Sequence, residues 1–140
     1  MIRKTILRDE NQRVYGKFVH VYKWKELWPA ERLIFERFMP YWHRMRMLDL
    51  GVGTGRTTYT FAKVTREYVG IDYVPAMIKK CIQKFGQSPS IRFLVCDARD
   101  LSIFSDNSFD FVLFSWCGID AASHAGRKRI LAEVRRVLHI

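Results

Sequence analysis

The sequence is poor in the features that mark membrane, secreted and metal-binding proteins. No stretch approaches the roughly 18 consecutive apolar residues that a membrane span requires, and the opening run MIRKTILRDENQ lacks the apolar centre of a secretory signal. A cytoplasmic protein without a membrane partner is therefore expected. Cysteine is scarce, and Cys81, Cys96 and Cys117 form no CxxC pair and have no histidines nearby at metal-ligand spacing. That argues against a disulfide framework and a metal site, and leaves the cysteines as small apolar residues in a reducing compartment. Acidic residues are also in deficit, with 14 Asp and Glu against 24 Lys and Arg, for a net charge of +10. Such an excess invites a polyanionic partner. Its residues are spread from Arg3 to Arg46 and again from Arg127 to Arg136, with no RNP-like, KH-like or zinc-finger pattern between. Charge alone speaks for nucleic acid, and solvated helix faces are the simpler account.

What is present is enough for one domain with a real core: 140 residues, 49% of them hydrophobic. Residues 1–45 read as a helical segment rich in aromatics, including Tyr15, Tyr22, Trp24, Phe35, Phe38 and Trp42, with Pro29 suited to a first helical turn. From residue 46 to 140 the texture changes to short apolar runs separated by helical spacing. The pattern predicts strands over Met47–Leu50, Tyr68–Ile71, Ile91–Cys96 and Phe109–Phe114, and helices over Thr54–Val64, from Pro75 through Phe85, and over Arg127–Leu138. Such alternation is that of an α/β fold, a Rossmann-like doubly wound parallel sheet in three layers. In that architecture ligands lie at the carboxyl ends of the strands.

Polar residues fall at those ends in succession. Asp49 and the turn Gly51-Val-Gly53-Thr-Gly55 follow the first strand, Asp72 closes the second, Asp97 the third and Ser115 the fourth. A phosphate-binding P-loop would need a lysine that this turn lacks. Asp72 stands where a dinucleotide site places its ribose-binding carboxylate, but Arg56 occupies the place of the third glycine of G-x-G-x-x-G, which disfavours a pyrophosphate. A nucleoside without a pyrophosphate fits better.

LDLGVGTGR at 48–56, VGIDYVPAMIKKC at 69–81, IRFLVCDARDL at 91–101, FDFVLFSWCGID at 109–120 and RKRILAEVRRVL at 127–138 together resemble a class I S-adenosylmethionine-dependent methyltransferase of the methyltransferase-domain type. The resemblance implies a cofactor, S-adenosylmethionine, with Gly51, Gly53 and Gly55 along its methionine and ribose portion. It assigns support of the turn and the amino group to Asp49, the ribose hydroxyls to Asp72, the adenine faces to Tyr73 and Met77, and the adenine edge to Asp97 with the Ala98 amide. Ser115 then stands close to the methionyl group. Asp72 as a helix cap, and Asp97 or Asp100 as turn residues, are structural readings compatible with binding.

Transfer of a methyl group needs alignment and a dry site more than a base, so no catalytic residue is assigned; of the histidines, His124 is the least implausible base. A small-molecule nucleophile is the expected acceptor. The competing reading is a non-catalytic module that binds cofactor, RNA or a partner. Tyr15, Tyr22 and Trp24 either form a lid, as similar segments do in that family, or belong to the core, and core is the reading favoured for most of this stripe. In the family, further strands follow the helix that ends in RVL. The expectation is therefore a fragment or a short homologue, with an incomplete C-terminal half and an apolar sheet edge through which the chain pairs with itself or a partner.

Overall fold

In the computed structural model, which describes residues 12–21 and 23–140, the apolar runs form one parallel sheet. Strands β1 (Arg46–Leu50), β2 (Glu67–Asp72), β3 (Ile91–Val95) and β4 (Phe111–Phe114) lie in the order β3-β2-β1-β4. The chain builds outward from β1 on one side and then crosses to the other, so the order reverses between β1 and β4. Asp49 sits level with Gly70 on β2 and Leu113 on β4, and Leu50 with Ile71 and Phe114. The strand ends are thereby aligned, and whatever follows each strand meets at one edge.

Successive side chains of a strand point to opposite faces, and both faces are covered, as a parallel sheet requires. Met47 and Tyr68 enter a core with Trp42, Phe61, Ile78, Cys81 and Phe93, whereas Leu48, Leu50, Val69 and Ile71 enter a second with Leu101, Phe104, Phe109 and Val137. The first face is covered by α2 (Pro29–Arg37), α3 (Thr58–Phe61) and α4 (Pro75–Phe85), and the second by α5 (His124–Val137). Residues 12–18 form a further helix, α1. Trp42 seals the first face, packing against Phe35, Phe61 and Phe111 while its indole N–H donates to the Phe35 carbonyl at 2.9 Å. Among the described residues, no helix is long and apolar enough to cross a membrane.

Several boundaries differ from the sequence expectation, each for a local reason. The helix expected over Thr54–Val64 is helical only from Thr58 to Phe61. Its first residues stay in the glycine turn, closed by Gly55 N–H to the Val52 carbonyl, and the Thr57 hydroxyl is drawn to Asp49 instead of the helix. Helix α5 begins earlier than Arg127, because the Ser123 hydroxyl caps it by accepting from the Gly126 amide at 3.2 Å. Strand β3 ends at Val95, one residue before Cys96, and β4 begins at Phe111. Phe109 instead makes an isolated parallel bridge to Leu138, so the entry to the β4 edge is paired and not bare.

Candidate functional site

A cavity of about 410 Å³ opens at the carboxyl ends of the strands, a size ordinary for a small-molecule site. The site residues expected from the sequence border it with one exception: Asp49, Gly51, Gly53, Asp72, Tyr73, Met77, Asp97, Ala98 and Ser115 all line it, and Gly55 does not. Gly55 has φ +88° and sits under α4, where an added Cβ would come within 2.3 Å of the Phe85 ring. Its lack of a side chain serves packing. Gly53, at φ +57°, has no atom within 4 Å of the place a Cβ would take, so its open side belongs to the cavity.

At the β2 and β3 tips the acidic groups are held by backbone. Asp72 is buried and accepts from the Gly53 amide at 3.0 Å and the Val74 amide at 2.9 Å, one on each carboxylate oxygen. It does not cap α4, whose first residue is Pro75 with Val74 before it. Burial raises its pKa and the two amides oppose the rise. Each oxygen keeps a further lone pair. The Tyr73 hydroxyl beside it is buried with no hydrogen-bond partner among the described residues. Burial, then the Asp72 charge, push that phenol up to about 12. Asp97 closes its own turn by accepting from the Arg99 amide at 2.9 Å and pairs with the Arg99 guanidinium at 2.5 Å. Met77 is buried against Val19 and Val74.

Asp49 lies deepest. Fully buried, it accepts hydrogen bonds from the Thr57 hydroxyl and from Tyr68 Oη at 2.6 Å, and burial raises its pKa to about 6 despite those donors.

The β4 tip is built differently: around Ser115, the one expected site residue there, it brings in Glu31, Trp28 and Trp116, to which the sequence assigned no site role. Glu31 on α2 is 5% exposed and receives the Arg56 guanidinium on both oxygens at 2.5 Å. The Ser115 hydroxyl donates to the same carboxylate, and the Trp28 amide does so at 2.7 Å, closing the first turn of α2. Trp116 lies under the Arg56 guanidinium, 5.5 Å from its ring centroid, and meets Trp28 edge-on at 4.7 Å. Arg56, read from sequence only as an obstacle to a pyrophosphate, is the hub of this corner. The signals that could have found it were an arginine directly after the glycine turn and an acid in the first turn of a helix opened by Pro29.

The aromatic stripe divides in two. Phe35, Phe38 and Trp42 belong to the core or pack on it, as expected, but Tyr15 and Trp24 do not: with Phe18 and Val21 they line the cavity, and Trp24 is 70% exposed. Tyr22 lies outside the described residues. Gln12 Nε2 donates to the Tyr73 carbonyl at 2.7 Å, so this segment reaches from the β2 tip across to the Glu31 corner. His124 is exposed on the first turn of α5, and none of His20, His43, His124 or His139 lines the cavity. A histidine base finds no support there.

Comparison with known proteins agrees with this fold. The chain is 38% identical over 96 residues to a phthiotriol/phenolphthiotriol dimycocerosates methyltransferase of Mycobacterium leprae, covering 68% of this chain and 33% of that protein. It is 30% identical over 92 residues to phosphoethanolamine N-methyltransferase 1 of Caenorhabditis elegans, covering 66% of this chain and 19% of that protein. It thus spans a third or less of the length of these relatives. Among solved structures, phosphoethanolamine N-methyltransferase 1 of Haemonchus contortus, in complex with phosphoethanolamine and S-adenosylhomocysteine, superposes with a TM-score of 0.77 over 96% of this chain and 30% of that one. At 20% identity the likeness is one of fold. Residues 47–139, from the second residue of β1 to two residues past α5, match the family described as "Methyltransferase domain", and the chain belongs to that family.

Proposed function

We propose that this chain binds S-adenosylmethionine across the tips of β1 to β4 and forms the cofactor-binding part of a methyltransferase that acts on a small-molecule nucleophile. One observation carries the reading: the open side of Gly53, a buried Asp72 carboxylate with lone pairs to spare and a buried Tyr73 hydroxyl without a partner among the described residues all border one cavity. A buried polar atom without a partner is unfavourable, and a polar ligand beside it relieves that cost. The residues present fit the cofactor.

Asp72 accepts hydrogen bonds from the two vicinal ribose hydroxyls, a charge-assisted arrangement. Its amide contacts to Gly53 and Val74 fix the carboxylate and the glycine turn relative to one another. Tyr73 and Met77 flank the base, Asp97 and the Ala98 amide take its edge, and Gly51 and Gly53 let the backbone approach the sugar and tail. Asp49 anchors the start of the turn through Thr57. Ser115 faces the tail. Gly55 supports the turn from below through its contact with Phe85. When bound, the cofactor supplies a methyl carbon already activated by sulfonium, so alignment and exclusion of water are the protein's main tasks. Tyr15, Phe18, Val21 and Trp24 provide the exclusion. The names of the relatives, which include phosphoethanolamine methyltransferases, support a small acceptor.

The test is isothermal titration of the chain with S-adenosylhomocysteine and S-adenosylmethionine. Binding is expected, together with its loss in Asp72→Ala by roughly a hundredfold. A folded chain that takes up neither compound rejects the proposal.

A further inference from the structure

Behind the β4 end of the cavity, in contact with Arg56 and Ser115 of its lining, lies a carboxylate for which the cofactor reading has no task. Glu31 accepts hydrogen bonds from the Trp28 amide, both Arg56 terminal nitrogens and the Ser115 hydroxyl. Burial pushes its pKa upward, but the bonds from Arg56, Ser115 and Trp28 outweigh burial and hold it below the usual value. It is therefore ionised and has no proton to give. The contact with Ser115 then has a single polarity, with Ser115 as donor. Arg56 Nη2 approaches the Ser115 oxygen at 3.3 Å and donates to it. Ser115 lines the cavity with one lone pair left and its proton committed elsewhere.

We propose that Glu31 is a positioning residue that commits the Ser115 proton and makes the Ser115 oxygen an acceptor only, so that this end of the cavity selects a hydrogen-bond donor, the ammonium of an amino-acid tail. The inference rests on the S-adenosylmethionine reading and adds to it a residue that lies outside both the cavity lining and the matched region 47–139. A serine hydroxyl without such a partner rotates, and serves a carboxylate as readily as an ammonium. Glu31 removes that freedom. The Glu31–Arg56 pair is neutral as a unit, so the selection comes from the direction of one O–H bond and not from net charge. In Glu31→Gln the amide offers one oxygen in place of two. With that oxygen held by Arg56 and Trp28, the amide nitrogen faces Ser115 and turns its proton toward the ligand.

Three ligands separate the outcomes: S-adenosylhomocysteine, its decarboxylated analogue that keeps the amine, and 5′-methylthioadenosine, which has no tail. Their affinities are measured by titration calorimetry on the full 140-residue chain and on Glu31→Gln, Ser115→Ala and the double variant. Both single variants are expected to weaken the two amine-bearing ligands roughly tenfold and to leave methylthioadenosine within about twofold, with the double variant no weaker than the worse single one. Ser115→Ala leaves the Glu31–Arg56 pair intact and decides the matter even where Glu31→Gln does not fold. The proposal is overturned if a folded variant loses affinity for all three ligands alike, if it loses none for S-adenosylhomocysteine, or if the decarboxylated analogue escapes the loss. An unsubstituted chain that binds none of the three overturns the cofactor reading, and this inference with it.

Discussion

The two ends of the cavity treat buried charge in opposite ways. At the β2 and β3 tips, Asp72 is held by two backbone amides and the Tyr73 hydroxyl by no partner among the described residues, so polar capacity is left over. At the β4 tip, Glu31 is saturated by four donors drawn from three separate parts of the chain. The first arrangement suits a site completed by a ligand, because its unmet polarity is satisfied only when something binds. The second is completed by the fold itself and fixes α2 to the strand tips. Stability and binding should therefore separate when the two ends are altered independently.

The largest effect is expected from Arg56→Met, which leaves Glu31 buried and unpaired. A loss of about 3–5 kcal/mol in urea-induced unfolding follows from breaking a buried pair, and a loss below about 1 kcal/mol, the range of exposed pairs, would erase the contrast. Asp49 comes next. Its folded pKa of about 6 lies above the ordinary 3.8 because of burial, so the folded state holds this proton more tightly. Its contribution is present below the ordinary value and is lost as pH rises through about 6. Glu31, with a lowered pKa, acts in the opposite sense in acid. The difference in stability between the parent chain and Asp49→Asn, followed from pH 4 to 8, should change by about 2 kcal/mol and flatten at the upper end; a flat difference curve would mean that Asp49 titrates normally.

A smaller pair of substitutions tests the division within the glycine turn. Gly55→Ala drives a Cβ toward Phe85 and should cost about 1–3 kcal/mol while leaving the folded protein's affinity for S-adenosylhomocysteine unchanged. Gly53→Ala meets no neighbour and should cost about 1–2 kcal/mol for its backbone conformation, but it should weaken that affinity by intruding on the ligand. Thermal unfolding and titration together read both. The smallest effect is expected at Tyr73→Phe: stability within about 0.5 kcal/mol of the parent, and affinity reduced by a few-fold.

The sheet and the residues at the β1 to β3 tips were legible because they depend on local pattern. A strand, a glycine turn and a helix follow one another between Arg46 and Phe61, and Asp72 ends its strand by its own position in the alternation. The short α3 was less legible, since the hydroxyl of Thr57 chooses a strand carboxylate over the helix and no periodicity records that choice. The Glu31 corner was illegible for a further reason. Glu31 and Ser115 are separated by 84 positions, and such a pairing has no spacing to recognise. Arg56 illustrates the point: its neighbours in sequence suggest what it would obstruct, and only its neighbours in space disclose what it holds. The aromatics between Arg13 and Trp42 share one composition yet divide between core and cavity wall, because composition does not say where a helix ends relative to a sheet edge.

The distribution of the indoles gives the molecule a built-in optical reporter. Trp42 is 1% exposed in the apolar interior, whereas Trp28, Trp24 and Trp116 are 49%, 70% and 53% exposed around the mouth. Their emission is accordingly expected to divide into a blue component, which shifts when the interior opens to water, and a red component, which shifts when the mouth fills. Occupancy and unfolding can then be followed in the same cuvette, at two wavelengths and without a dye.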